Sequence, residues 1–432
     1  FQGGGPLPET IAGFEPDYVG LSVRNVDDLT MQHSTFYIDE IAKNFAIPLR
    51  QSTRAALVLG GSGFSLVPRQ LMELLDGDYG VVGGGEEPML QLLEALDSGA
   101  RGEDLITIPG VLVRGVGASW LGPIPPARSC ETGAGNVHHW IDFAPYRQRG
   151  SYPLQTRRGC AHRCVYCTYP LLEGRRLRPR DPRDVADEIQ RAANDLGPGV
   201  TYEFVDSTFN TPPGQAKAVC QEIASRNLSG IRLRTMGVNP AGADRALFAL
   251  MRRAGFAQID ITPDSASPGV LRALGKGFTL DDLQRSAAAV LAEGLPCMWF
   301  FLLGGPDEDE QTLQQTLDFI DGYVHPEDMV YMAAGLRIYP GTPLHRLALE
   351  QGIVQRDDDL LQPRFFVSPA LEQARLVAWV QEVCSRRPNC VPAWETSPSP
   401  ELMKRALALR AEQGLDEPMF RTLIRLQREL AM

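Results

Sequence analysis

Arg157-Arg158-Gly159-Cys160-Ala161-His162-Arg163-Cys164-Val165-Tyr166-Cys167 carries three cysteines in the spacing C-x3-C-x2-C. Three thiolates this close can hold three corners of a cubane iron-sulfur cluster and leave its fourth iron without a cysteine. An iron left open in this way is a reaction site. A structural zinc site or a plain ferredoxin cluster is the competing reading, but zinc normally completes its shell with a fourth Cys or His at knuckle spacing. His162 lies inside the loop, where it cannot easily swing onto the same metal.

Downstream of this stretch the chain repeats a strand-then-helix unit about six times. Apolar strands are expected near 154–157, 202–205, 231–235, 258–262, 298–303 and 330–338, and helices near 182–194, 215–226, 281–291 and 310–320. Parallel strands with crossover helices repeated six times predict a partial (β/α)6 barrel, like a TIM barrel short of two units, over 151–367. Its working face is expected at the carboxyl edge of the strands. The last stretch, 368–432, reads as helical with a Pro-rich break at 392–400, and is expected to cap the barrel mouth.

Upstream, residues 1–114 alternate strand (18–23, 55–59, 79–82) and helix (36–44, 68–75, and again after Glu86) as in a Rossmann-like open α/β sheet. The strands end in small-residue turns, Leu21-Ser22, Gly60-Gly61-Ser62-Gly63 and Gly83-Gly84-Gly85-Glu86-Glu87, which let a ligand approach the backbone. No G-x-G-x-x-G follows the first strand and no G-K-[ST] occurs in these turns, which weakens a dinucleotide or phosphate-loop reading. A Gly- and Pro-rich segment within 115–150 reads as a linker.

The chain has 432 residues, 44% of them apolar, enough for two or three domains with cores of their own. A formal charge of −11 with 42 Lys and Arg argues against a nucleic-acid partner. No apolar run approaches bilayer length and the start has no signal-like core, so no membrane association and a cytoplasmic location are expected. Cys130, Cys220, Cys297, Cys384 and Cys390 are scattered without a disulfide rhythm and read as ordinary buried thiols of a reducing compartment.

The spacing of Cys160, Cys164 and Cys167, with Tyr166 just before the last, resembles the signature of the radical S-adenosylmethionine (SAM) enzymes. The resemblance implies a 4Fe-4S cluster whose fourth iron is chelated by SAM, and an external electron donor. The turns Val19-Gly20-Leu21-Ser22 and Leu59-Gly60-Gly61 resemble the Ser and Gly-Gly signatures of cobalamin-binding domains, here followed by Gly84 and Glu86. That implies cobalamin beside Ser22, Gly60, Gly61, Ser62, Gly84 and Glu86. The Asp-x-His-x-x-Gly motif of such domains is absent from this sequence, so a base-off cofactor is implied, on a sheet expected to lack its first strand.

Arg24, two residues past Ser22, would then face the lower side of the corrin as a catalytic cation; a surface salt bridge to Asp27 or Asp28 is the alternative. Asp206 resembles the acidic strand end that receives the ammonium of SAM. Asp264 and Ser265 stand where the family writes Gly-x-Glu-Ser, and would hold the ribose hydroxyls or the carboxylate. The turns at Gly304-Gly305 and at Ile338-Tyr339-Pro340-Gly341 resemble those that shape the adenine pocket through backbone atoms. Lys276 and Arg234 are candidates to meet a substrate carboxylate.

Together these features resemble the cobalamin-dependent radical SAM enzymes, mostly C-methyltransferases. The Arg after the Ser turn is compatible with the subset that methylates tryptophan C2 in thiopeptide biosynthesis. A small-molecule or amino-acid-derived substrate is implied. Ring closure or rearrangement with the same cofactors is the alternative.

Overall fold

A computed structural model describes residues 7–115, 137–146, 151–395 and 397–431. Most of the expected linker, and Cys130 with it, lies outside the described residues. The chain divides into two compact units, one built from 1–129, 166–174 and 337–365, the other from 130–165, 175–336 and 366–432.

In the first unit, β1 (Tyr18–Ser22), β2 (Ala56–Gly60) and β3 (Tyr79–Val81) are parallel neighbours, and β4 (Val111–Val113) closes the edge antiparallel to β3. Alternation along β2 explains its unbroken apolar run. Leu57 and Leu59 enter a cluster with Ile38, Leu49, Phe64 and Leu71, whereas Val58 faces Val81, Leu92, Leu96 and Val111 on the other side. Both faces are covered, as the Rossmann-like reading requires. The helix expected to end near 44 continues instead to Ser52, as an α-helix Tyr37–Ile41, a π turn Ala42–Ala46 and an α-helix Ile47–Ser52. Pro48 cannot donate a backbone hydrogen bond, and the wider turn lies directly before it.

The second unit holds all six expected parallel strands: β5 (Tyr152–Leu154), β8 (Thr201–Phe204), β9 (Arg232–Thr235), β10 (Ile259–Asp264), β11 (Cys297–Leu303) and β12 (Met329–Ala334). A two-residue hairpin, β6 (Arg157–Arg158) with β7 (Arg178–Pro179), interrupts the first repeat. Continuous ladders join β5-β8-β9 and β10-β11-β12, and the parallel bridges Leu233↔Phe256 and Val238↔Ile261 link the two groups. Of the crossover helices, Pro182–Leu196, Arg245–Ala254, Leu280–Glu293 and Glu310–Tyr323 start at side-chain caps (Asp181, Asp244, Thr279 and Asp309), whereas Pro213–Ser225 follows Pro212 without one. Thr279 with Asp282 and Asp309 with Thr312 form reciprocal capping boxes.

Two features of the C-terminal region differ from expectation. Cys390–Pro392, which runs into the break expected from 392 and where the sequence predicts no strand, is a seventh parallel strand, pairing Val330↔Cys390, Tyr331↔Val391 and Met332↔Pro392. At three residues it is too short to show periodicity. The last helix, Met419–Ala431, does not cap the mouth. Its Phe420 and Ile424 are buried against Met329, Met298, Tyr331 and Val391, and Arg421 pairs with Asp328 at 2.9 Å, just before β12. These partners cluster at the amino ends of the strands, so the helix seals the edge opposite the working face. No helix among the described residues is long and apolar enough to cross a membrane.

Candidate functional site

The β6–β7 hairpin closes the base of the loop that carries the cysteines. Arg157 organises this base from within. Its side chain is 1% exposed, its guanidinium donates to the carbonyls of Gly159 and Thr208 (2.6 Å for the latter), and it reaches the Ser207 hydroxyl at 3.2 Å.

Further along the loop, Val165 N donates to Leu274 O at 3.0 Å, and His162 Nε2 meets the Thr211 hydroxyl at 3.0 Å. Gly275 has φ +68°, and a Cβ there would lie 2.6 Å from Arg163 O, so only glycine lets its loop lie this close. Cys160 is buried, and Cys164 and Cys167 are half-buried. Burial pushes the Cys164 thiol up, while the Lys276 ammonium pulls it back toward thiolate. Three thiols on one braced loop, with the imidazole Nε2 turned to a threonine, fit a cluster that takes three cysteines better than a closed zinc site.

Asp206 does not present a free carboxylate to a ligand. It is 2% exposed and accepts from Thr156 N (2.9 Å), Thr156 Oγ1 (3.0 Å) and Arg157 N (3.0 Å), locking the end of β5 to the end of β8. Burial raises its carboxyl to about 6, against the opposing pull of Arg157. Ser265 is likewise committed: fully buried, its hydroxyl contacts Thr316 Oγ1 at 3.2 Å and accepts from Ser267 N at 3.1 Å. Asp264 has φ +66° and forms a buried ion pair with Lys276, 2.7 Å from Oδ2 to Nζ. The backbone donors of Gly304 and Gly305, expected to shape an adenine pocket, are taken by Glu308, whose carboxyl burial raises to about 7. Each of these departures has one cause: buried polar groups at strand ends found partners within the protein.

Sequence reasoning missed the inner face of the sheet. Glu203, Asp260, Met298, Phe300 and Tyr331 alternate with the buried residues of their strands and are half-buried. Arg234, expected to await a substrate, pairs with Glu203 at 2.7 Å, and Glu203 also accepts from Ser151 at 2.5 Å. Asp260 accepts from Gln258 at 2.9 Å, and burial raises its carboxyl to about 7. Phe300 and Tyr331 stack with ring centroids 5.1 Å apart. For Glu203 and Asp260 the available signal was a charged residue between apolar neighbours; Met298 and Phe300 lie in a strand that is apolar on both faces and gave none.

In the first unit, the turns after β1 and β2 interlock. A Cβ on Gly61 (φ +100°) would lie 2.5 Å from Val23 O and 2.9 Å from Ser22 Oγ, so this glycine is demanded by the protein's own turn. Ser62 Oγ donates to Arg24 O at 2.8 Å. Ser65, unremarked in the sequence, donates to Gly61 O at 2.8 Å and accepts from Gly83 N at 2.9 Å, tying the second turn to the third.

Ser22 and Ser62 are exposed, Gly60 and Gly84 half-buried, and Glu86 opens the helix Glu86–Asp97. The Arg24 side chain is exposed and takes neither suggested partner. Asp27 is buried against Arg337 (2.8 Å), and Asp28 accepts from Thr30 N and Thr35 N. Ile338 is fully buried, with N donating to Arg364 O at 2.8 Å and its carbonyl accepting from Arg337. Tyr166 is half-buried.

Among known proteins, the tryptophan 2-C-methyltransferase of Streptomyces laurentii is 26% identical over 402 residues, covering 78% of this chain and 65% of that protein. The present chain thus spans about two thirds of that relative's length. Two structures of the radical SAM methyltransferase TsrM from Kitasatospora setae share its fold at TM-score 0.76. One, with cobalamin and a 4Fe-4S cluster bound, is 22% identical and matches 96% of this chain and 88% of its own. The other, with tryptophan and a SAM analogue, is 21% identical and matches 98% and 90%. Residues 154–320, which contain the cysteine loop and β8 to β11, match the radical SAM superfamily, and this part of the chain is a radical SAM domain.

Proposed function

We propose that this chain is a SAM- and cobalamin-dependent C-methyltransferase acting on a small-molecule or amino-acid-derived substrate in natural-product biosynthesis, with tryptophan C2 as the candidate acceptor. The carrying observation is the braced three-cysteine loop of a radical SAM domain on a chain that also holds a Rossmann-like sheet. When bound, the cofactors supply what no side chain can, a methyl group from SAM relayed by cobalamin to a carbon that is a poor nucleophile.

Cys160, Cys164 and Cys167 would hold the cluster, with Tyr166 beside them. Arg157, Asp206, His162 and Gly275 position that loop, and Asp206 and Ser265 act on SAM only through the strand ends they fasten. The Asp264–Lys276 pair and the backbone at Ile338 would border SAM. Ser22, Gly60, Gly61, Ser62, Gly84 and Glu86 would border the corrin, and the exposed Arg24 would set a cation beside it. On the inner sheet face, Asp260 and the Phe300–Tyr331 stack lie toward the edge that the last helix seals and would brace the barrel interior, while the Glu203–Arg234 pair would supply charges of both signs beside them. An external electron donor and a reducing, cytoplasmic setting suit such a cluster, and the acidic net charge speaks against nucleic acid as substrate.

The test is anaerobically reconstituted protein incubated with methyl-labelled SAM, a reductant and tryptophan. Label is expected on tryptophan, and Cys164→Ala is expected to abolish transfer. Full activity in that variant overturns the reading, and turnover of SAM with no methylated product reassigns the enzyme to ring closure or rearrangement.

A further inference from the structure

Outside this machinery, His138, His139 and Asp195 bring three ligand atoms together, all within 4.8 Å of one another. His138 and His139 are consecutive in the short 3-10 turn Val137–His139, which is tethered by Val137 N donating to the Tyr152 hydroxyl at 3.3 Å. Asp195 lies in the last turn of the helix Pro182–Leu196. Both imidazole Nε2 atoms converge on the same carboxylate oxygen, Asp195 Oδ2, at 2.9 and 3.3 Å.

Two nitrogens and an oxygen at about 2.0–2.2 Å from one tetrahedral zinc ion would stand about 3.3 Å apart; the two imidazole-to-carboxylate separations, 2.9 and 3.3 Å, are near that value, and all three ligand atoms lie within 4.8 Å of one another. The local electrostatics point the same way. A carboxylate in the last turn of a helix opposes the helix dipole, and this helix has no basic residue there to offset it. A divalent cation at that position offsets both the dipole and the carboxylate. The His138 side chain is 5% exposed, while Asp195 and His139 are 47% and 56% exposed. The set therefore has one buried anchor and two arms open to solvent.

We propose that His138, His139 and Asp195 form a binding site for a divalent transition-metal ion, zinc best matching two imidazoles and one carboxylate, with a fourth corner left to water or an outside ligand. The ion pins the turn Val137–His139 to the end of the helix Pro182–Leu196. This site is independent of methyl transfer and of the cysteine loop.

Zinc titration by calorimetry into cluster-loaded protein tests it, alongside the same titration of a Cys160→Ala/Cys164→Ala/Cys167→Ala variant. One equivalent is expected in both, weakened at least a hundredfold by His139→Ala or Asp195→Asn. Both positions are solvent-exposed, so folding is expected to survive either change. Cobalt(II) in place of zinc should give visible d–d bands without thiolate charge-transfer absorption. Zinc should raise the melting temperature of the parent and not of His139→Ala. Parent-like affinity in both single variants, no zinc uptake by the parent, or loss of the equivalent on removing the cysteines each overturns the assignment.

Discussion

The carboxyl edges of the two sheets look alike in sequence, each a series of small and polar residues closing an apolar strand, yet they use those residues in opposite ways. In the radical SAM domain, Asp206, Ser265, Asp264 and Glu308 are all buried and bonded to the protein itself. On the Rossmann-like sheet, Ser22 and Arg24 are exposed, and among the described residues Arg24 has no side-chain partner, while the exposed Ser62 is held only by its bond to Arg24 O. A polar residue at a strand end is thus a candidate ligand only when the fold has not already claimed it. Burial decides between the two, because an unpartnered polar group is costly inside and cheap outside.

Breaking the buried Asp264–Lys276 pair should have the largest effect. Lys276→Met leaves the Asp264 carboxylate buried without its cation, and is expected to destabilise the protein by about 3–5 kcal/mol in a denaturant titration. Asp206→Ala should follow, at about 2–4 kcal/mol, because the Thr156 and Arg157 N–H donors lose their acceptor at once. If SAM still binds normally to Asp206→Ala protein that remains folded, its role is positional; selective loss of SAM affinity without loss of stability would return it to the ligand shell.

Asp260 tests the intermediate case, a half-buried carboxyl raised to about 7. The native state holds a proton that the unfolded chain releases near pH 4. Stability should therefore fall as pH climbs through the window between about 4 and 7, and level off above it. Asp260→Asn cannot ionise and can still accept from Gln258. It should flatten that slope and be more stable than the parent at pH 8 by at least about 1–2 kcal/mol, since water reaching the partly exposed residue screens part of the ~1.4 kcal/mol carried by each pKa unit. A parent-like slope in this variant would sink the assignment. The smallest effect on stability belongs to Arg24→Ala, within about 0.5 kcal/mol. Methyl transfer should nevertheless fall in that variant, and unchanged transfer would leave Arg24 as a surface residue.

The cysteine loop was legible because its meaning lies in covalent spacing, which the chain carries with it unfolded or folded. Six of the seven parallel strands in the second unit were legible as well, because apolar runs between helical repeats need no tertiary information. The seventh, Cys390–Pro392, and the antiparallel β4 were not, since three residues hold too little pattern. Ser65 escaped notice because its value lies in two hydrogen bonds to turns on either side of it in sequence.

By itself, the amino-acid sequence determined the thiol spacing, the strand-helix rhythm of both sheets and the order of their turns, all of which are local properties. Tertiary structure decided which polar side chains remain available to a ligand and which edge of the barrel the last helix seals. Those outcomes depend on which groups meet after burial, and residues such as Asp206 and Thr156, or Phe420 and Met298, become neighbours only when distant segments pack together and water is removed from between them.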